Sequence, residues 1–179
     1  MTQQIGRPEP TEYAAYYGRY ISLVPEGEIA AILEQQRESI VALLKSLSEA
    51  QGDYRYAPGK WTIKEVVGHV ADTERVFGYR AAHFSRSDPA PLPSMEQEVW
   101  SAGAESSRRT LASLTDELGA VRDSTVALVR SLSPAQATRR GIASNNEVTA
   151  RAMVYLCAGH MEHHIRILKE RYLRNLASQ

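Results

Sequence analysis

Apolar residues recur at three- and four-residue spacing in four long segments of this 179-residue chain. That rhythm is the signature of amphipathic helices, and it limits the fold more than any other feature. The first segment spans 28–50 and carries Ile29, Ile32, Leu33, Ile40, Leu43, Leu44 and Leu47. The second runs from Thr62 to about Ser85. The third covers roughly 94–132, with Leu111, Leu114, Leu118, Val121, Leu128, Val129 and Leu132; its early part reads as a possible separate piece. The fourth extends from about 147 to 174. No segment between them reads as a strand; "AQATRRGIASNN" reads as loop, with a helical turn open to "SPAQATRR". Four long helices predict an all-α four-helix bundle, and this length suits one domain over 1–179. Residues 1–26, rich in tyrosine (Tyr13, Tyr16, Tyr17, Tyr20), read as a short helix or turn whose rings pack on the bundle.

The start of the second helix is sharply defined. Thr62 suits an N-cap, Glu65 completes a capping box, and Trp61 is placed to staple onto Val66. The proline-rich "SRSDPAPLPS" after it reads as an extended crossover. Lys plus Arg and Asp plus Glu each number 21, so the net charge is zero, without the basic surplus of a nucleic-acid binder. Apolar runs fall short of the roughly 18 residues of a membrane span, and no basic-then-apolar signal opens the chain. A single cysteine, Cys157, forms no internal disulfide. These features predict a cytoplasmic protein with neither nucleic acid nor membrane as partner.

With the second helix fixed in phase, His69 falls toward one edge of its apolar stripe, beside Val66, Val70, Thr73 and Phe77. On the fourth helix, His164 lies about 40° from His160, both on the apolar side, while His163 falls about 60° away in the other direction. Inward histidines at i and i+4 can reach one metal ion, and His69 is the natural third ligand. The order His-Met-Glu-His-His differs from the zincin pattern H-E-x-x-H, and Glu162 is expected to face solvent. The competing reading leaves these histidines as hydrogen-bonded residues at the edge of the core.

Other residues carry weaker signals. His83 lies about 21 Å further along the second helix, too far to join His69, and reads as packing. Asp72 and Glu65 each stand one turn from His69, as second-nitrogen partners or as plain solvated carboxylates. Cys157 reads as a small core residue ahead of a ligand or reactive thiol. Gly68 and Gly159 each precede a candidate ligand, which suggests that helices two and four meet there. Arg75 and Arg80 read equally as anion contacts or as surface charges.

The block "YAPGKWTIKEVVGHVADTERVFGYR", together with "AGHMEHHIRIL", resembles the DinB/YfiT-like superfamily of metal-dependent enzymes. The resemblance spans most of the chain, and its two motifs are specific in combination rather than singly. It implies a four-helix bundle with a long crossover between helices two and three, often dimeric. It also implies a three-histidine metal site, which maps to His69, His160 and His164. Activities in that family include transfer and isomerisation with low-molecular-weight thiols, alongside hydrolysis. The expectation is therefore a Zn²⁺ or Ni²⁺ enzyme acting on a small molecule by thiol S-transfer or metal-assisted hydrolysis, assembled as a homodimer. The alternative is a non-catalytic dimeric bundle with a structural or sensing metal.

Overall fold

The computed structural model describes residues 5–176, so the outermost residues of the domain expected over 1–179 lie outside the described residues. Four helices form the bundle: α1 (Ile29–Lys45), α2 (Ile63–Ser85), α3 (Leu111–Ser131) and α4 (Ala150–Ile167). Each begins at a side chain that satisfies free backbone N–H groups. The Glu28 carboxylate accepts from Ala30 and Ala31, Thr110 from Ser113, and Thr149 from Ala152. The Thr62–Glu65 capping box is complete: Glu65 N–H donates to Thr62 Oγ1 at 3.1 Å, and Thr62 N–H to Glu65 Oε2 at 2.6 Å.

The expected third helix is divided in two. A short helix, Gln97–Ala104, ends at Glu105, whose φ of 47° lies in the left-handed region. A 3-10 turn, Ser106–Arg108, follows, and α3 starts only after the Thr110 cap. This break lets the crossover from Ser85 to Leu111 lie across the bundle. At the other end, α4 continues beyond Ile167 as a π-helical turn, Leu168–Leu173.

The loop expected before the fourth helix contains a hairpin instead. Strands β1 (Arg140–Ala143) and β2 (Asn146–Thr149) pair antiparallel, with Arg140 opposite Thr149 and Ala143 opposite Asn146. Ser144 and Asn145 both adopt positive φ, 51° and 60°, as a two-residue hairpin turn requires. Leu92 of the crossover joins β1 through two backbone bonds: its N–H donates to the Ile142 carbonyl and its carbonyl accepts from Ser144 N–H. The suspected turn in "SPAQATRR" is present as Pro134–Ala137, capped by Ser133.

One polar network crosses the apolar interior and touches all four bundle helices. Arg122 on α3 is fully buried and donates to Glu74 on α2 at 2.7 Å and to Gln36 on α1 at 3.0 Å. It also donates to the Cys157 carbonyl, and Gln36 donates to the Ala158 carbonyl, both on α4. A buried charge needs such pairing, because burial of an unpaired ion is costly. The network therefore fixes α4 against its neighbours immediately before His160.

Candidate metal centre

α2 and α4 pack side by side and turn three imidazoles toward one another. His69 Nε2 lies 3.3 Å from His160 Nε2, and His164 Nε2 lies 3.2 Å from the same atom. Ligand-capable atoms of the three residues all fall within 4.8 Å of one another. Two nitrogens about 2.0–2.1 Å from one zinc in tetrahedral geometry stand roughly 3.3 Å apart. The observed spacing thus matches donors that share one divalent ion.

The protonation states suit ligation, which needs a free nitrogen lone pair. Burial brings the pKa of His69 down to about 4, slightly opposed by the negative charge of Glu98. Burial, reinforced by His69 and His163, brings His164 down to about 3. His160 is held well below the ordinary range by burial and by its two partner histidines. All three rings are neutral at pH 7. Three Nε2 atoms crowd one another, and the buried Nδ1 atoms of His69 and of His164 have no hydrogen-bond partner among the described residues. The donor set fits a divalent cation.

The walls come from several elements. Tyr20, on the short helix Gly18–Ile21, sets its ring 5.6 Å from His160 and 5.3 Å from His163. Phe77 stands 6.0 Å from His160, and Trp61 stands 4.8 Å from His69. A cavity of about 160 Å³ opens from His69 and His160 past Tyr17, Tyr20, Thr73 and Phe77 to Arg80. Thr73 lines that cavity, and its hydroxyl is buried with no hydrogen-bond partner among the described residues.

The remaining candidates separate cleanly. His163 is half-buried beside Tyr20 and outside the triad. His83, near the end of α2, donates to the Ala90 carbonyl at 2.9 Å and so ties α2 to the crossover. Cys157 is buried in the core, and burial raises its thiol pKa well above the usual value. Neither carboxylate near His69 reaches its ring: Glu65 is used in the capping box, and Asp72 pairs with Arg75. The glycines do serve close approaches, but not between α2 and α4. Gly68 faces Ser106 of the crossover, and Gly159 faces the backbone of Tyr20. Sequence reasoning passed over Trp61 and Thr73 as parts of the site. Their spacing from His69, eight residues before and one turn after, is the only signal they carried.

The model of the DinB superfamily matches residues 32–168, a span that includes all three histidines. This chain belongs to the DinB superfamily. It is 25% identical over 128 residues to a protein of Oceanobacillus iheyensis named "Putative metal-dependent hydrolase OB0413". That match covers 70% of this chain and 73% of the relative. The fold is similar to that of YfiT from Bacillus subtilis, described as "a probable metal-dependent hydrolase with an unusual four-helix bundle topology". There the TM-score is 0.65 at 21% identity, covering 94% of this chain and 93% of YfiT. A mycothiol-dependent maleylpyruvate isomerase also matches with a TM-score of 0.65, at 13% identity, covering 80% of this chain and 60% of the isomerase. This DinB superfamily member thus spans less than two thirds of the isomerase, and both structural likenesses establish the fold alone.

Proposed function

We propose that this protein is a divalent-metal-dependent hydrolase of a small molecule, with His69, His160 and His164 as its metal ligands. The observation that carries this reading is the convergence of the His69 and His164 Nε2 atoms to 3.2–3.3 Å from His160 Nε2, with His69 and His160 lining an open cavity. Zn²⁺ or Ni²⁺ suits three imidazole ligands, and the bound ion supplies Lewis-acid activation of water near neutral pH. His69, His160 and His164 would hold the ion, and the cavity lined by His69 and His160 would give substrate access to it. Tyr20, Phe77 and Trp61 shield the rings from bulk water, which strengthens electrostatic interactions within the site. Thr73 lines the same cavity beside His69.

A second reading, thiol S-transfer, draws support from the likeness to the mycothiol-dependent isomerase. In that case the thiol comes from a separate low-molecular-weight cofactor, because the one cysteine of the chain is buried with a raised pKa. The reading also takes the protein as one cytoplasmic domain and a homodimer, with no nucleic-acid or membrane partner. No helix among the described residues is long and apolar enough to cross a membrane. Sedimentation tests the dimer.

The test of function is a screen of protein loaded with Zn²⁺ or Ni²⁺ against simple esters, amides and electrophiles, with and without added thiols. Turnover of an ester or amide without thiol, lost in His160→Ala, supports hydrolysis. Turnover only with thiol and electrophile favours S-transfer. No turnover by protein that retains its metal favours a structural or sensing ion.

A further inference from the structure

Three cationic side chains are buried in the described structure: Lys64, Arg80 and Arg122. Lys64 meets Glu49 and Asp53, each at 2.9 Å, and Arg122 meets Glu74 at 2.7 Å. Arg80, only 4% exposed, meets no carboxylate among the described residues. Its Nη2 donates to the Pro93 carbonyl at 2.6 Å and to Ser144 Oγ at 3.2 Å, and Tyr17 lines the same cavity. Pro93 and Ser144 supply two neutral acceptors for five N–H donors. A buried guanidinium without a counter-charge is an expensive arrangement unless an anion joins it.

Its position gives that anion a place. Residues 69, 73, 76 and 80 fall within a sector of about 60° on α2, and all four line the histidine cavity. One face of one helix thus presents a candidate metal ligand, an unpartnered hydroxyl, an apolar wall and a guanidinium, in that order. The Cα atoms of His69 and Arg80 are about 16 Å apart along the axis. A second cavity, of about 310 Å³, shares Val76, Arg80 and Met95 and runs under the crossover beside Trp100. The contacts to Pro93 and Ser144 hold Arg80 between the crossover and the hairpin, where the two cavities share their walls.

We propose that Arg80 is the anion-binding end of the histidine cleft, and that the molecule this site takes carries a carboxylate. The carboxylate pairs with the guanidinium while the reacting group lies at the histidines. This assignment deepens the metal-dependent reading and rests on it for the role of the far end. The anion site itself is testable without metal.

The probes are ω-mercapto acids of three to eight carbons and the matching ω-mercapto alcohols. They are titrated calorimetrically into metal-free and Co²⁺-loaded protein. The thiolate-to-cobalt absorption band reports the histidine end independently. The acid should bind roughly ten- to a hundredfold tighter than the alcohol of best-fitting length, as a charge-assisted hydrogen bond provides. That ratio should fall to about one in Arg80→Met and persist in part in Arg80→Lys. Equal affinities for acid and alcohol at every length would overturn the proposal, as would a ratio that survives in Arg80→Met. The comparison of acid with alcohol on the unsubstituted protein decides the matter even if a variant fails to fold. A purely structural Arg80 would lower the melting temperature of Arg80→Met and leave the ratio unchanged, which also overturns it. Failure to take up cobalt, with an Arg80-dependent acid preference intact, counts against the metal reading alone.

Discussion

The backbone carbonyl of Tyr20 rests directly against Gly159, so that a Cβ at 159 would overlap it. This contact seats the N-terminal segment on α4 one residue before His160, and it places the Tyr20 ring beside that histidine. Gly159→Ala should therefore cost about 1–3 kcal/mol through overpacking against backbone. Gly68→Ala meets only the Ser106 side chain, whose Oγ can rotate away while its Cβ stays at 3.0 Å. Its cost should be smaller and should shrink further in combination with Ser106→Gly. Denaturant unfolding of the four proteins checks the order. Equal losses for the two single substitutions would contradict it.

The Glu74–Arg122 pair predicts a different pattern. Arg122→Met or Glu74→Leu leaves one buried charge alone and should destabilise by roughly 3–5 kcal/mol. The double substitution removes both charges and should recover most of that loss. Additive losses in a double-mutant cycle would show that the two residues act independently.

Much of this arrangement is legible in the sequence, and the rest fails for identifiable reasons. The Thr62–Glu65 box set the phase of α2, and the one-turn spacing of His160 and His164 set the inward face of α4. Local chemistry controls both. The hairpin escaped notice because "RGIASNNEVT" offers only four residues per strand and exposes Ile142. A long-range bridge from Leu92 of the crossover extends it at Ala143. Arg122 and Glu74 look like solvent-facing charges on helices, since each finds its partner 48 residues away. The same limit hid the true neighbours of Gly68 and Gly159, which lie outside the two helices that carry them.

The segment that bears Tyr20 is also tied down by Glu12, which accepts from Thr149 Oγ1 at 2.8 Å and pairs with Arg151. Burial alone would raise the Glu12 pKa. The hydrogen bonds from Arg151, Thr149 and the Glu9 backbone outweigh it and lower the pKa from 4.5 to about 2. A depressed carboxylate pKa stabilises the fold above its unfolded value and ceases to do so as pH falls through its folded value. The stability gap between the wild type and Glu12→Gln should accordingly be full above about pH 5 and close between pH 4.5 and about 2. Melting temperatures recorded across that range check the sign; a gap that widens on acidification would contradict it.

Loss of single ligands gives the next expectation. His160 is the shared neighbour of the other two rings, so His160→Ala should abolish tight metal binding. His164→Ala should weaken it roughly tenfold or more, and His163→Ala should leave it within about twofold. Competition against a chromophoric chelator ranks the three.

The central claim is that His69, His160 and His164 close on one divalent ion. Its most direct test is the metal content of untagged protein, reconstituted with Zn²⁺, Ni²⁺ or Mn²⁺ and freed of unbound ion. The account predicts close to one equivalent per chain for at least one of these metals, lost in His160→Ala. Less than roughly 0.2 equivalents of every metal, or equal retention by wild type and His160→Ala, would contradict it.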